Sequence, residues 1–257
     1  MARWTAFEHA GAYPFDATRL KRHWKRLHKA DQEPLPKDPK VLAAWALFHS
    51  GEFEKAAETG LSSGAEGTVV ANKATCIYAN YLEPKEKNRL ELFMQVAQRA
   101  AEQASENPSN ANAFYWQAYA LGRYSQGISV AKALAQGIGS KVKSALETTI
   151  RLQPLHADAH IALGSFHAEV IDKVGALIGA MTYGAKKDTS LKLFLRALSL
   201  TPESVIAKIE YANALVMLEG DRRSEEATRL YEQAAAIKAF DAMQRLDVEL
   251  AKAELAY

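Results

Sequence analysis

A single cysteine, Cys76, in 257 residues excludes an internal disulfide, so the fold has to rest on packing. Cys76 sits among Ala71, Ala74, Ile77 and Ala79, where a free cysteine is expected to act as a small, inert core hydrophobe. Charge of one sign is missing too. The net charge of +2 is too slight to imply a polyanion such as nucleic acid as partner of the whole molecule. No apolar run approaches the ~20 residues of a spanning helix; the longest notable one, Val174 to Met181, falls far short. The start of the chain, broken by Arg3, Glu8, His9 and Pro14, lacks the apolar stretch of a secretory signal, so a cytoplasmic location is expected. No segment alternates apolar and polar residues long enough to read as a strand. No Ser-His-Asp, Cys-His or paired-carboxylate set stands out, so no enzyme and no cofactor are expected. Gly137, Gly139, Ser140 and Lys141 fail as a phosphate loop, because Leu134 replaces the first glycine and serine precedes lysine. What remains is 48% hydrophobic and 24% charged, an ordinary globular composition.

Order appears in the spacing of small and large residues. Ala157, Ala159, His160, Leu163, Gly164 and His167 follow the pattern W-x2-L-G-x2-Y of a repeat helix A, with His in both aromatic slots. Ser190, Phe194, Ala197 and Pro202 follow the helix B pattern A-x3-F…P. This resembles the tetratricopeptide repeat, which closes in ~34 residues, yet Ala157 to Pro202 takes 46. One unit earlier, Ala111, Phe114, Ala118 and Leu121 start a helix A after Pro108, and Leu146 to Pro154 ends a helix B. Pro108, Pro154 and Pro202 are spaced 46 and 48 residues apart, so both central units are long. Gly51, Phe53 and Ala56 mark an ordinary early repeat, and Ala227, Tyr231 and Ala234 a late one. The expectation is an all-α chain, an α-solenoid of tetratricopeptide-like helix pairs with two apolar insertions in its central repeats.

Residues 1–38 are expected to form a basic N-terminal helix and linker, with Asp16 as helix cap and Pro34 and Pro36 as its end. Residues 39–257 are expected to form the repeat domain with a C-terminal capping helix. Helices are expected at about 39–63 as a pair, then near 68–82, 84–106, 110–124, 140–152, 156–171, 188–200, 203–218, 222–237 and 239–255.

The insertions read GISVAKALAQGIGS from Gly127 and DKVGALIGAMTYGAKK from Asp172. Exposed loops of this length are normally polar. These apolar ones are expected to be buried, either as short helices plugging their own grooves or as walls of an apolar pocket lined by Leu134, Leu177, Ile178 and Met181. Gly175 and Gly179 form a GxxxG pair, which says that two helices lie close. The combination of A-x-A-H-x-x-L-G, a long apolar insertion and a helix B ending in L-x-P resembles the regulator of microtubule dynamics family. It also resembles the T component of TRAP-type transporters. Both resemblances imply a tetratricopeptide-like fold, and members of both families have been associated with apolar ligands or lipid.

Arg19 to Lys29 carries six Lys/Arg and no acid, with Leu20, Trp24 and Leu27 making one apolar stripe. The leading expectation is a cap that docks this stripe on the first repeat. A membrane-surface contact through residues 19–29 is the second reading, and nucleic acid the weakest. His156, His160 and His167 are too few and too committed to packing slots for a metal site. The groove side of helix A maps to Asn112, Tyr115, Tyr119 and Arg123, then to Asp158, Ile161, Ser165 and Glu169. Charges of both signs beside two tyrosines suit a peptide better than an alkyl chain. The expected function is non-catalytic binding of a protein or peptide partner in that groove, with carriage of a lipid or other apolar small molecule as the alternative.

Overall fold

The computed structural model describes residues 4–256; Met1–Arg3 and Tyr257, the outermost residues of the two expected segments, lie outside them. Among the described residues, fourteen α-helices follow in order: α1 (Ala17–Leu27), α2 (Pro39–His49), α3 (Phe53–Leu61), α4 (Thr68–Tyr81), α5 (Glu86–Glu106), α6 (Ala111–Gln126), α7 (Val130–Ala135), α8 (Ile138–Leu152), α9 (Ala157–Val174), α10 (Ala176–Tyr183), α11 (Lys187–Leu200), α12 (Val205–Glu219), α13 (Ser224–Ala235) and α14 (Ala242–Glu254). Short 3-10 turns stand at Gly64–Gly67 and Gly220–Arg223. No strand occurs among the described residues. The fold is the all-α helical repeat expected, built of pairs α2/α3, α4/α5, α6/α8, α9/α11 and α12/α13.

Local chemistry sets the helix starts. Asp16, Asn110 and Ser204 accept hydrogen bonds from the backbone N–H groups of Arg19, Ala113 and Ala207, which would otherwise be orphaned. Asp38 does the same for Lys40, with Pro39 at the first helical turn, where its missing N–H costs nothing. Between α2 and α3 the chain turns at Gly51 with φ of 87°. A β-carbon there would stand 2.3 Å from Cδ1 of Phe7, so only glycine fits.

The chain forms two compact units. The first comprises residues up to His28, Glu33–Leu152 and Phe240–Met243; the second comprises Lys29–Gln32, Gln153–Ala239 and the residues from Gln244 on. In the first, Trp45 and Phe48 from α2, Phe53 from α3 and Trp116 from α6 are buried. Consecutive A-type helices touch there, α2 against α4 and α4 against α6. In the second, Ile161, Phe194, Tyr211 and Leu215 form one cluster, and Val205, Ile209, Val248 and Ala251 another. Phe194 is fully buried and stacks on Tyr211 with ring centroids 5.4 Å apart. Burial of one such side chain contributes ~1.5–3 kcal/mol.

Each insertion contains one short helix, α7 packed on α8 and α10 packed on α9. The expected burial of their large side chains is corrected by the structure. Leu134 is 47% exposed, Leu177 75%, Ile178 58% and Met181 81%, so these residues do not wall an enclosed pocket. The reason lies in which face of α10 meets α9. A β-carbon on Gly179 would stand 3.0 Å from Cγ1 of Val170, so the small residue faces α9. A helix of eight residues offers only a narrow contact stripe, and here glycine occupies it.

Candidate functional site

In the first unit the A helices α2, α4 and α6 carry a group of buried aromatic and polar side chains. Trp45 and His49 are four residues apart and share a face of α2. His49 Nδ1 lies 2.6 Å from Oδ2 of Asp241, and its Nε2 lies 3.2 Å from Nε2 of His28. One ring nitrogen of His49 thus faces the Asp241 carboxylate and the other the ring of His28. The ammonium of Lys73, on α4, stands 5.6, 5.3 and 6.0 Å from the ring centroids of Trp45, Phe48 and Trp116. Such a setting stabilises a cation by the negative faces of the rings.

Onto this face the chain lays its own N-terminal segment. The stripe of α1 docks on α2, with Leu20 fully buried and Trp24 nearly so. The Trp24 ring meets Trp45 edge-on at 5.8 Å and stacks on His28 at 3.9 Å. Its Nε1–H donates to the carbonyl of Glu33 at 2.9 Å, folding residues 24–33 back on themselves. The carboxylate of Glu33 in turn accepts from Nδ2 of Asn112 at 2.5 Å. This is the cap arrangement expected for the basic helix: the apolar stripe is covered. The cations face outward or over rings, as Arg26 does at 3.8 Å from Phe240.

The other expected groove residues fall as follows. Tyr115 is buried and packs edge-on to Trp116 at 4.9 Å. Tyr119 is half-buried 5.3 Å from Trp116, with the Arg123 guanidinium 5.4 Å from its own ring centroid. In the second unit the N–H of Asp158 donates to the carbonyl of Ala30 at 3.3 Å. Ser165 donates to Glu210 at 3.2 Å, and Glu169 pairs with Lys173 at 3.8 Å. Ile161 is a core residue, buried with Ala207, Tyr211 and Leu215, and so offers no free side chain to a ligand.

The histidines of α9 are occupied by local structure. His156 caps the helix by accepting from the Ala159 N–H at 3.1 Å, and His160 Nε2 bonds to the carbonyl of Pro154 at 3.1 Å. His167 Nδ1 accepts from the Lys186 N–H at 3.3 Å. Burial pushes the Cys76 thiol far above its ordinary range, which keeps it protonated and unreactive. Trp45, His49, Glu33 and Asp241 were not singled out by the repeat pattern. A signal for two of them exists in the repetition of Trp-x3-His at Trp24–His28 and Trp45–His49.

Successive stacked helix pairs of this kind define a tetratricopeptide-like repeat protein. Residues 51–254 match the sequence profile of the regulator of microtubule dynamics protein 1-3 family. The chain belongs to that family. No curated protein matches it. Among solved structures it is similar to TTC0263, a thermophilic TPR protein of Thermus thermophilus, with a TM-score of 0.57 and 14% identity over 83% of this chain and 97% of that one. It is also similar to YrrB, described as a TPR protein with an unusual peptide-binding site, with a TM-score of 0.43 and 13% identity over 94% of this chain and 100% of that one. A third similar structure is the human IFIT1 dimer with m7Gppp-AAAA, with a TM-score of 0.44 and 13% identity over 86% of this chain and 57% of that one. At 14% identity the first shows the fold alone, and the other two add no argument to it.

Proposed function

We propose that this protein is a non-catalytic scaffold that holds a protein or peptide partner against the A-helix faces of its repeats. The observation that carries the reading is the docking of Trp24 on α2 and of Glu33 on α6, through the Trp24–Trp45 contact and the Glu33–Asn112 hydrogen bond. A surface that holds one segment by an aromatic contact and a side-chain hydrogen bond has the means to hold another. The side chains involved are an aromatic, an amide and a cation, which suit polypeptide chemistry. Carriage of an apolar small molecule has less support, because Leu177, Ile178 and Met181 are exposed. Membrane contact through residues 19–29 has less as well, because Leu20 and Trp24 are already covered.

The test is a peptide-display selection against the full chain, followed by binding measurements on variants. Asn112→Ala and Tyr119→Ala are expected to weaken the selected peptides by about tenfold each, in the range of one lost interface contact. Met181→Gln is expected to leave binding unchanged. Selected peptides that are insensitive to Asn112 and Tyr119 would overturn the reading.

A further inference from the structure

Among the described residues, three buried polar atoms without a hydrogen-bond partner belong to one junction of the first unit, between α4 and α5. Asn72 of α4 is fully buried, and its Oδ1 accepts from Nε of Arg99, on α5, at 2.6 Å. Because Nε–H can only donate, this bond fixes the amide, with its oxygen on Arg99 and its nitrogen turned away. Nδ2 of Asn72 and Nη2 of Arg99 are both buried, and neither has a partner. One turn along α5, Gln103 donates from Nε2 to the carbonyl of Ala65 at 3.3 Å, while its buried Oε1 has no partner. Buried polar atoms of folded proteins are nearly always satisfied, so this group points to a ligand. Arg99 has no salt-bridge partner among the described residues, and burial pushes its guanidinium below the ordinary arginine range. Glu102, one turn on, is held by Gln98, whose Nε2 donates to its Oε1 at 2.8 Å, and offsets this only in part. A cation kept in such a place without a counter-charge costs stability. Arg99 also reaches the surface, in an open groove of about 640 Å³ that Glu91, Met94, Gln95, Gln98 and Glu102 line with it. All six belong to α5, the second helix of its pair, so the groove lies off the A-helix faces.

We propose that this groove is a second peptide site, in which Arg99 takes a carboxylate of the peptide and Glu91 and Glu102 take basic side chains on either side of it. The carboxylate accepts from the terminal nitrogens of Arg99, a charge-assisted bond of the strong kind. Asn72 is a positioning residue, because its hold on Nε orients the planar guanidinium. The two glutamates repel a free anion that carries no positive charge, and a dianionic phosphate more strongly still. A segment that places an acid between two bases matches the order minus, plus, minus along α5. On the helix Glu91 and Arg99 are ~12 Å apart and Arg99 and Glu102 ~4.5 Å, at ~1.5 Å per residue. In an extended peptide about three residues span the first distance and about one the second. Met94, 40% exposed in the same groove, gives a peptide side chain an apolar contact.

The experiment follows the Arg99 Nε–H and the Asn72 side-chain amide of the full chain by nuclear magnetic resonance. The probes are the peptide acetyl-Lys-Ala-Leu-Glu-Lys-amide, the same peptide in reversed order, sodium acetate and inorganic phosphate, with a peptide carrying Gln in place of Glu as control. The better of the two Glu peptides is expected to shift both signals saturably, and to bind at least about tenfold more tightly than the Gln peptide, acetate or phosphate. Arg99→Lys keeps the charge but loses the planar fork, and is expected to weaken that peptide by about tenfold. Asn72→Leu/Arg99→Met replaces the polar pair by apolar side chains. It is expected to melt no lower than the parent and to lose the peptide altogether. A double variant that binds the peptide as the parent does overturns the proposal, and so does one that folds normally but melts clearly lower, because the pair would then serve structure alone. Equal binding of the Glu and Gln peptides, or of acetate or phosphate and the Glu peptide, overturns it as well. So does the absence of a saturable shift in the parent, a result that depends on no variant. The scaffold reading is judged at Asn112 and Tyr119 and this site at Arg99, so either can fail alone.

Discussion

Gly164 on α9 faces the ring of Phe194 on α11, and a β-carbon at residue 164 would stand 2.9 Å from Cε2 of that ring. Ser190 reinforces the crossing by donating its hydroxyl to the Gly164 carbonyl at 2.7 Å. Phe194 is fully buried and has no room to retreat. Gly164→Leu is therefore expected to destabilise the protein by ~1–3 kcal/mol, the range of overpacked cores. Met181→Gln, at a residue 81% exposed, is expected to stay within about 0.5 kcal/mol of the parent. Urea denaturation of the two variants checks the register of this repeat.

Acid is expected to weaken the protein partly through His160. Burial holds its pKa below the ordinary 6.5, and the nearby Arg196 cation acts in the same direction, against the bond to the Pro154 carbonyl. Its Nδ1 is buried with no hydrogen-bond partner, so a proton placed there finds no acceptor. The folded pKa is depressed, so the unfolded chain binds the proton first as pH falls. Stability is full above 6.5 and declines from that value down to the folded pKa. His160→Gln is expected to lose less thermal stability than the parent between about pH 7.5 and about pH 5. An equal loss in the two proteins would remove His160 as a contributor.

Asn112→Asp would set a second carboxylate where Asn112 Nδ2 now lies 2.5 Å from the Glu33 oxygen. Loss of a hydrogen bond to a charged group costs ~1.5–3 kcal/mol, before any repulsion. The N-terminal segment is expected to open, so trypsin should cut after Lys29 and Lys37 at least about tenfold faster than in the parent. Adding Glu33→Gln is expected to restore protection, because it removes the like-charge contact. Cleavage rates followed by mass spectrometry distinguish this electrostatic account from general unfolding.

The exposed side of α10 makes a contrasting prediction. Leu177→Asp places a carboxylate at a residue already 75% exposed, and is expected to change stability by no more than about 0.5 kcal/mol. In a buried plug the same change would cost several times as much. Chemical denaturation decides between the two arrangements.

The helix pairs were legible because Gly164, Ser190, Phe194 and Ala197 report a packing requirement that is local to one repeat. Prolines at 108, 154 and 202 placed helix ends within a few residues. The α10 side chains went the other way. Leu177, Ile178 and Met181 are apolar, but exposure depends on which face meets α9, and a run without polar residues carries no such phase. The docking of Trp24 and Glu33 was half legible. The stripe of Leu20 and Trp24 showed that α1 had to be covered, whereas Glu33 reaching Asn112 is a contact across 79 residues with no periodic signature. Ile161 shows the limit of groove assignment by register alone, because α12 packs on α9 and takes that side chain into the core.

The most direct measurement of the central claim uses the four tryptophans, Trp4, Trp24, Trp45 and Trp116, as reporters in one indole N–H spectrum of the full chain. Trp24 is bonded to Glu33, and Trp45 and Trp116 stand on the A-helix face, whereas Trp4 stacks on Tyr78 with ring centroids 4.1 Å apart. Titration with a peptide selected against the full chain is expected to shift Trp24, Trp45 and Trp116 together and to leave Trp4 in place. Saturation that moves only Trp4, or none of the four, would contradict the account.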